Sequence, residues 1–402
     1  MTMTVHHHRR PLVKIKEAMA RNQATIGFLG TSVTDASPRH NWPEPLMGWF
    51  VDHFPDVRFT VENAGIGATA SDLGALRVDR DILAKGCHLV FVEFAVNDDG
   101  LPGEFRRRTR EGLLRKLLED DTCDVVLVYT YSMSMYEDMS SNRVPSSVAE
   151  FEELAQYYDI PSVWMGLYGF NEVRKGYMRF EEWVPDGLHP TQRGSYAYAK
   201  SVMQFLQDEL KGDDGFSEND AKDAEFGTLR PGSSELTGTS NSPTDDVAAP
   251  SVHKSPLKPA LHPLHWGKTY LLPLSNVNLY GPWVIRRNVH SPWMEYIIDT
   301  ASIGAKLSFD FEGQGLALGT DFGKAAAEYR YRIDDGQWIQ TNRERPDWCG
   351  DSGWFRLDTL AQDLAPGKHR LELVVVHGNR PECRGTNFRL GLIGVLRYEN
   401  PE

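Results

Sequence analysis

Two folds in succession are expected from this sequence: an α/β domain whose parallel sheet is covered on both faces, then an all-β sandwich. Three observations carry that expectation. Over the first half, short apolar runs alternate with segments of helical periodicity; from Gly212 to Pro259 the composition shifts to Gly, Ser, Thr, Pro and Asp; beyond that the runs are β-rich and separated by turn signals. At 402 residues the chain exceeds the usual size of one domain, and either part is long enough to bury a core. The division reads as an N-terminal extension 1–21, an α/β domain 22–211, a linker 212–259 and a sandwich 260–402.

The α/β pattern begins with the apolar run Ala24 to Leu29, ending in Gly30, and a helical stretch from Trp42 to Phe54 with Pro43 near its start. It recurs as Val57 to Val61 and the helix Ser71 to Ala84, then as His88 to Phe94 and the charged helix Gly103 to Glu119. Asp124 to Tyr131 precedes a helix Ser147 to Tyr158, and the apolar run Pro161 to Leu167 precedes a final helix Thr191 to Leu210. Near-continuous apolar strands between amphipathic helices mean a parallel sheet buried on both faces, with its ligand site at the carboxyl ends of the strands. The second half alternates in Trp293 to Ile298, Ala305 to Phe311, Leu316 to Thr320, Tyr329 to Ile333, Trp354 to Leu357, Arg370 to Val376 and Phe388 to Leu396. Asp334-Asp335-Gly336 and Pro366-Gly367-Lys368 supply turns, and two antiparallel sheets packed face to face are the natural closure. The linker, nearly fifty residues long, is expected to be partly disordered or to wrap across the first domain.

Charge narrows the partners. A net charge of -13 argues against nucleic acid and anionic membrane surfaces, whose binding needs clustered Lys and Arg. Arg106-Arg107-Arg108, flanked by acids, reads as a solvated helix face. No stretch approaches the ~18 apolar residues that span a bilayer, and Met1 to Arg21 lacks the apolar core of a secretory signal. His6-His7-His8 reads as a disordered start or an expression remnant. Cys87, Cys123, Cys349 and Cys383 share no metal-ligand spacing, so reduced thiols in a cytoplasmic protein are the simplest reading. No motif calls for a metal or a cofactor, and a homo-oligomer is compatible with the sequence.

Chemistry concentrates in two distant segments, Gly30-Thr31-Ser32-Val33-Thr34-Asp35 and Asp186-Gly187-Leu188-His189-Pro190. A serine hydroxyl is a poor nucleophile until a base removes its proton, and a turn between strand and helix exposes the side chain to substrate. Ser32 has that place, although an isolated Gly-Thr-Ser is more often a helix cap. An acid three residues before a histidine can reach its Nδ1–H, which leaves Nε2 to take the serine proton. Pro190 is expected in the first turn of the last helix. Ester hydrolysis also needs oxyanion donors: the Ser32 N–H, an N–H of the Gly65-Ile66-Gly67-Ala68 turn, and the Asn97 side-chain amide are candidates. Ser32, Gly65, Gly67 and Asn97 each follow a strand end, so all converge on one sheet edge with Asp186 and His189.

Four blocks in order resemble the SGNH/GDSL hydrolase family: Gly30 to Asp35, Asn63-Ala64-Gly65-Ile66-Gly67, Ala95-Val96-Asn97-Asp98, and Asp186 to Pro190. The resemblance covers about residues 22–211. It implies a flavodoxin-like three-layer α/β/α sandwich, a serine esterase with Ser32 as nucleophile, His189 as base and Asp186 as orienting acid, and an oxyanion hole from Ser32, Gly67 or Ala68, and Asn97. The family commonly has glycine where Ala68 and Ala95 stand; both are small substitutions that keep the backbone donors. The succession of domains further resembles two-domain carbohydrate O-acetylesterases, whose jelly-roll-like second domain is similar to carbohydrate-binding modules. That resemblance implies acetyl esters of oligosaccharides as substrates; Trp348, beside Asp347, Cys349 and Gly350 in a polar loop, and Asp35 are the candidates for contacting substrate. A lipid or acyl-thioester hydrolase is the alternative within the family; a carbohydrate-binding protein on an inactive scaffold is the alternative outside it. Of the other aromatics in the second half, Trp266, Tyr280, Trp283, Trp293, Trp338 and Trp354, most are expected in the core.

Overall fold

A computed structural model describes residues 2–35, 41–211, 256–288, 294–342, 349, 354–381 and 383–398. The first domain is built on a six-stranded sheet of β1 (His6–His7), β2 (Gln23–Gly30), β3 (Arg58–Gly65), β4 (Leu89–Val92), β5 (Asp124–Val128) and β6 (Ser162–Val163). Its spatial order is β1-β6-β5-β4-β2-β3, parallel throughout except for β1. Without β1 this is the flavodoxin-like order, reversing direction at β2. Every residue of β4 and β5 is buried, as a sheet with both faces covered requires. The cover is supplied by α1 (Val13–Ala20), α2 (Pro43–His53), α3 (Ser71–Asp81), α4 (Gly103–Asp120), α5 (Tyr136–Ser140), α6 (Ser146–Tyr158), α7 (Met165–Arg174), α8 (Phe180–Trp183) and α9 (Gln192–Glu209).

Several expectations are corrected by packing. The triple histidine is part of the fold: His6 and His7 pair antiparallel with Val163 and Ser162, His6 Nε2 meets Ser201 O at 2.8 Å, and His8 stacks on Phe205. The run Pro161 to Leu167 is a strand for two residues only; α7 follows at Met165, burying Leu167 and Phe170, because an apolar run alone cannot separate a buried strand from a buried helix. Pro190 stands one residue before the cap of α9, where Thr191 Oγ1 accepts from Gly194 N. Arg106 and Arg108 are buried, not solvated, since Glu150 takes Arg106 in a bidentate pair and Leu264 O takes Arg108.

The named strands of the second domain all pair antiparallel. Its strands are β7 (Tyr270–Leu271), β8 (Asn278–Tyr280), β9 (Val284–Arg287), β10 (Tyr296–Thr300), β11 (Lys306–Gly313), β12 (Gly315–Phe322), β13 (Glu328–Ile333), β14 (Ile339–Gln340), β15 (Trp354–Ala361), β16 (Gly367–Val376) and β17 (Phe388–Leu396). One sheet runs β15-β12-β17-β10-β9 with β7 beside β17; the other runs β14-β13-β16-β11-β8. Ile298, Leu316, Leu318, Leu390 and Val395 of the first sheet share a core with Leu307, Phe309, Tyr329, Leu371 and Leu373 of the second, which makes a sandwich. Trp266 is fully buried, whereas Tyr280 and Trp338 are exposed. Trp293 lies outside the described residues.

Of the linker, 212–255 lies outside the described residues; the stretch from Pro256 onward does cross the first domain. Arg115 donates to Lys258 O at 2.8 Å, Tyr157 Oη donates to Pro259 O, and Trp266 packs edge-on against Phe105 of α4. Gly112 is required there, because a Cβ would strike the Trp266 backbone. Among the described residues no helix is long and apolar enough to cross a membrane.

Candidate active site

The chain leaves β2 at Gly30 and closes a tight turn, with Thr34 N and Asp35 N both donating to Thr31 O at 3.1 and 2.9 Å. A Cβ at Gly30 would lie 2.6 Å from Thr34 Oγ1, so only glycine permits the turn. Ser32 sits at its tip, above the carboxyl ends of the strands. The next helix, α2, has Trp42 at its cap position, so Ser32 does not cap it.

Asp186 and His189 reach Ser32 from the loop before α9. Gly187 is left-handed, at φ +81°, which folds Asp186 back over its own loop. Asp186 Oδ1 accepts from Leu188 N at 2.9 Å and His189 N at 2.7 Å, while Oδ2 meets His189 Nδ1 at 2.8 Å. Desolvation works to raise the Asp186 carboxyl, but these hydrogen bonds, led by that from His189, outweigh it and hold it below its ordinary range. An ionised acceptor there places the proton on Nδ1 and turns the Nε2 lone pair outward. Nε2 stands 3.0 Å from Ser32 Oγ. Serine, histidine and aspartate, separated by about 150 residues of sequence, form one hydrogen-bonded chain. Met133 N donates to Gly187 O at 2.8 Å, pinning the loop to the segment after β5.

Polar donors gather on the same edge. Ile66 N donates to Gly30 O at 3.1 Å, Thr69 Oγ1 to Ile66 O at 2.8 Å, and Asn97 Nδ2 to Thr69 O at 2.9 Å. The turns after β2, β3 and β4 are thereby laced together. Asn97 retains a second amide hydrogen, and the N–H groups of Ser32, Gly67 and Ala68 donate to no acceptor among the described residues. Gly67 lies against Ser32, where a Cβ would sit 3.5 Å from Ser32 Cβ, and Ala68 takes the left-handed conformation at φ +57°. The Asp35 carboxylate is near the same spot, its Oδ2 3.9 Å from the position a Gly67 Cβ would take. Trp348 lies outside the described residues. Such an arrangement can deliver a serine alkoxide to a carbonyl carbon and receive the resulting oxyanion.

Residue-type reasoning passed over the support beneath the site. Asp98, fully buried, accepts from Ser71 N at the start of α3 and pairs with the equally buried Arg110 at 2.7 Å, steadying the turn that carries Asn97. Arg77, also fully buried, donates to Gly30 O at 3.3 Å. Glu93 lies under the Ser32 turn, and burial pushes its carboxyl up to about 7. The signal for Arg77, Arg110 and Glu93 was a charge inside an otherwise apolar or helical run.

No protein-family model matches the sequence, and no curated protein does. Among solved structures the chain is similar to a two-domain esterase, CEX, active on acetylated mannans and co-crystallised with mannopentaose: TM-score 0.75, 22% identity, 99% of this chain and 98% of that one. A second crystal structure of that esterase matches over 98% of both chains with the same identity and TM-score. An acetylxylan esterase from Geobacillus stearothermophilus aligns with 46% of this chain and 94% of its own at 19% identity and TM-score 0.39. The fold is thus a two-domain α/β plus β-sandwich architecture, shared with the mannan esterase across both domains.

Proposed function

We propose that this protein is a serine esterase of the SGNH/GDSL type that removes acetyl groups from oligosaccharide hydroxyls. The observation that carries the reading is the chain Ser32 Oγ, His189 Nε2, His189 Nδ1, Asp186 Oδ2, with contacts of 3.0 and 2.8 Å. In it, His189 takes the Ser32 proton as Oγ attacks the acetyl carbonyl, and the oxyanion meets the Ser32 N–H, the Gly67 or Ala68 N–H, and Asn97 Nδ2–H. Collapse of that intermediate transfers the His189 proton to the departing sugar hydroxyl. Water, deprotonated by His189, then attacks the acetyl-serine and releases acetate and the free enzyme. The carbohydrate part of the proposal is supported by a fold shared over nearly its whole length with an esterase active on acetylated mannans.

Two experiments test the two halves. Turnover of a small acetyl ester should fall by at least about 1,000-fold in Ser32→Ala, and a fluorophosphonate should label Ser32. Near-wild-type turnover in that variant would remove the serine mechanism. Mass spectrometry of acetylated oligosaccharides should show losses of acetyl groups; cleavage of simple acetyl esters alone would leave the esterase and remove the sugar.

A further inference from the structure

Glu93 follows the last residue of β4 and is completely buried, in a position where an apolar side chain would complete the run Leu89-Val90-Phe91-Val92. Burying a carboxylate costs several kcal/mol unless hydrogen bonds replace its water. Here they do. Oε2 accepts from Thr31 N at 3.1 Å, Thr31 Oγ1 at 2.8 Å and Thr34 Oγ1 at 3.2 Å; Oε1 accepts from Thr130 Oγ1 at 3.1 Å. Trp42 Nε1 donates to Thr34 Oγ1 at 3.2 Å, which directs the Thr34 hydroxyl proton toward Glu93. Three of the four donors therefore belong to the six-residue turn that carries Ser32.

The Gly30–Thr31 peptide is held from both ends. Its carbonyl accepts from Arg77 and Ile66 N, and its N–H donates to Glu93. Ser32 comes next, so the direction of its N–H and its Oγ follows from how that plane is set. None of the groups on Glu93 is Ser32, His189, Asp186 or Asn97, so the carboxylate exchanges no proton with the reacting atoms. Resting on the esterase reading, we propose that Glu93 is a positioning residue for the nucleophile: it clamps the Thr31 and Thr34 arms of the turn so that Ser32 presents Oγ to His189 and N–H to the oxyanion together.

The chemistry of the clamp separates it from simple packing. A glutamine keeps it, because its carbonyl oxygen accepts the three donors now on Oε2 and its amide donates to Thr130 Oγ1. A leucine fills the space and removes every acceptor. Wild type, Glu93→Gln and Glu93→Leu should be compared on a small acetyl ester, with kcat expressed per fluorophosphonate-titrated site. Glu93→Gln is expected within about fivefold of wild type, and Glu93→Leu about 100-fold lower in kcat with KM changed less than about threefold, the scale of a misplaced reacting group. If Glu93→Leu does not fold, Thr34→Val and Thr31→Val, each removing one hydroxyl donor, should show the same kcat-selective loss at about tenfold. Wild-type kcat per site in Glu93→Leu, or in both threonine variants, would overturn the proposal, as would equal losses in Gln and Leu. Absence of turnover and labelling in the wild type would instead overturn the esterase reading.

Discussion

Ala68 shows how a single residue is placed against its own preference. Its backbone is left-handed, which costs an L-residue with a Cβ about 1–2 kcal/mol relative to right-handed geometry, yet this is the turn that brings Gly67 against Ser32. Ala68→Gly is expected to raise unfolding free energy by about 1 kcal/mol while leaving kcat within about twofold. Urea denaturation with parallel kinetics checks it, and a loss of stability would show that the Ala68 methyl contributes more by contact than its backbone costs. At this scale Ser32, Asn97, Asp186 and His189 were legible in the sequence because each lies in a short block after a strand or before a helix, with Asp186 and His189 three residues apart. Glu93 was not. A buried acid in an apolar run reads only as an interruption, and its partners Thr31, Thr34 and Thr130 come from turns after two different strands.

Among the elements α4 departs furthest from its sequence pattern. Its charges look like a solvated face, yet Arg110 pairs with Asp98, Lys116 with Asp79 and Thr269 O, and Glu111 with the incoming chain. Glu111, fully buried, accepts from Leu261 N, His262 N, His262 Nδ1 and Tyr158 Oη. Desolvation opposes its charge, but His262 and the other donors hold the carboxyl below 4.5, while the hydrogen bond to Glu111 raises His262 above 6.5. The signs define a window. Stability from the raised histidine is complete below pH 6.5 and is lost as pH rises through its folded value; that from the lowered glutamate is present above 4.5 and is lost as pH falls through its folded value. The Tm difference between wild type and His262→Ala should therefore be largest between pH 4.5 and 6.5 and shrink toward pH 8. A difference that grows with pH would contradict the assignment. Sequence periodicity located α4, but partners outside the helix, from Asp98 just before it to His262 and Leu264 about 150 residues on, decide which charges it buries.

Across the whole molecule the core of the first fold extends into the second, which keeps a separate core between its own two sheets. Trp266, Ala317, Leu392, Leu396 and Tyr398 of the second part belong to the same buried cluster as Leu76, Phe94 and Leu113 of the first, and Gly394 packs directly on Leu76. Domains joined by so apolar a surface should unfold together: calorimetry is expected to give one transition with matching calorimetric and van't Hoff enthalpies. Two resolved transitions would mean that the interface contributes little. By itself the sequence determined the fold class, the order of most elements and the blocks of the candidate site, because hydrophobic period, turn residues and cap chemistry act over a few residues. The short strands β7, β8, β9 and β14, the pairing of His6 and His7 with β6, and the helix hidden in Pro161 to Leu167 escaped it. Only the tertiary structure decided those, together with the burial of Glu93, Arg77 and Arg110. A two-residue strand has no period to read, and a buried charge is stable only through hydrogen-bond partners that folding brings from elsewhere in the chain.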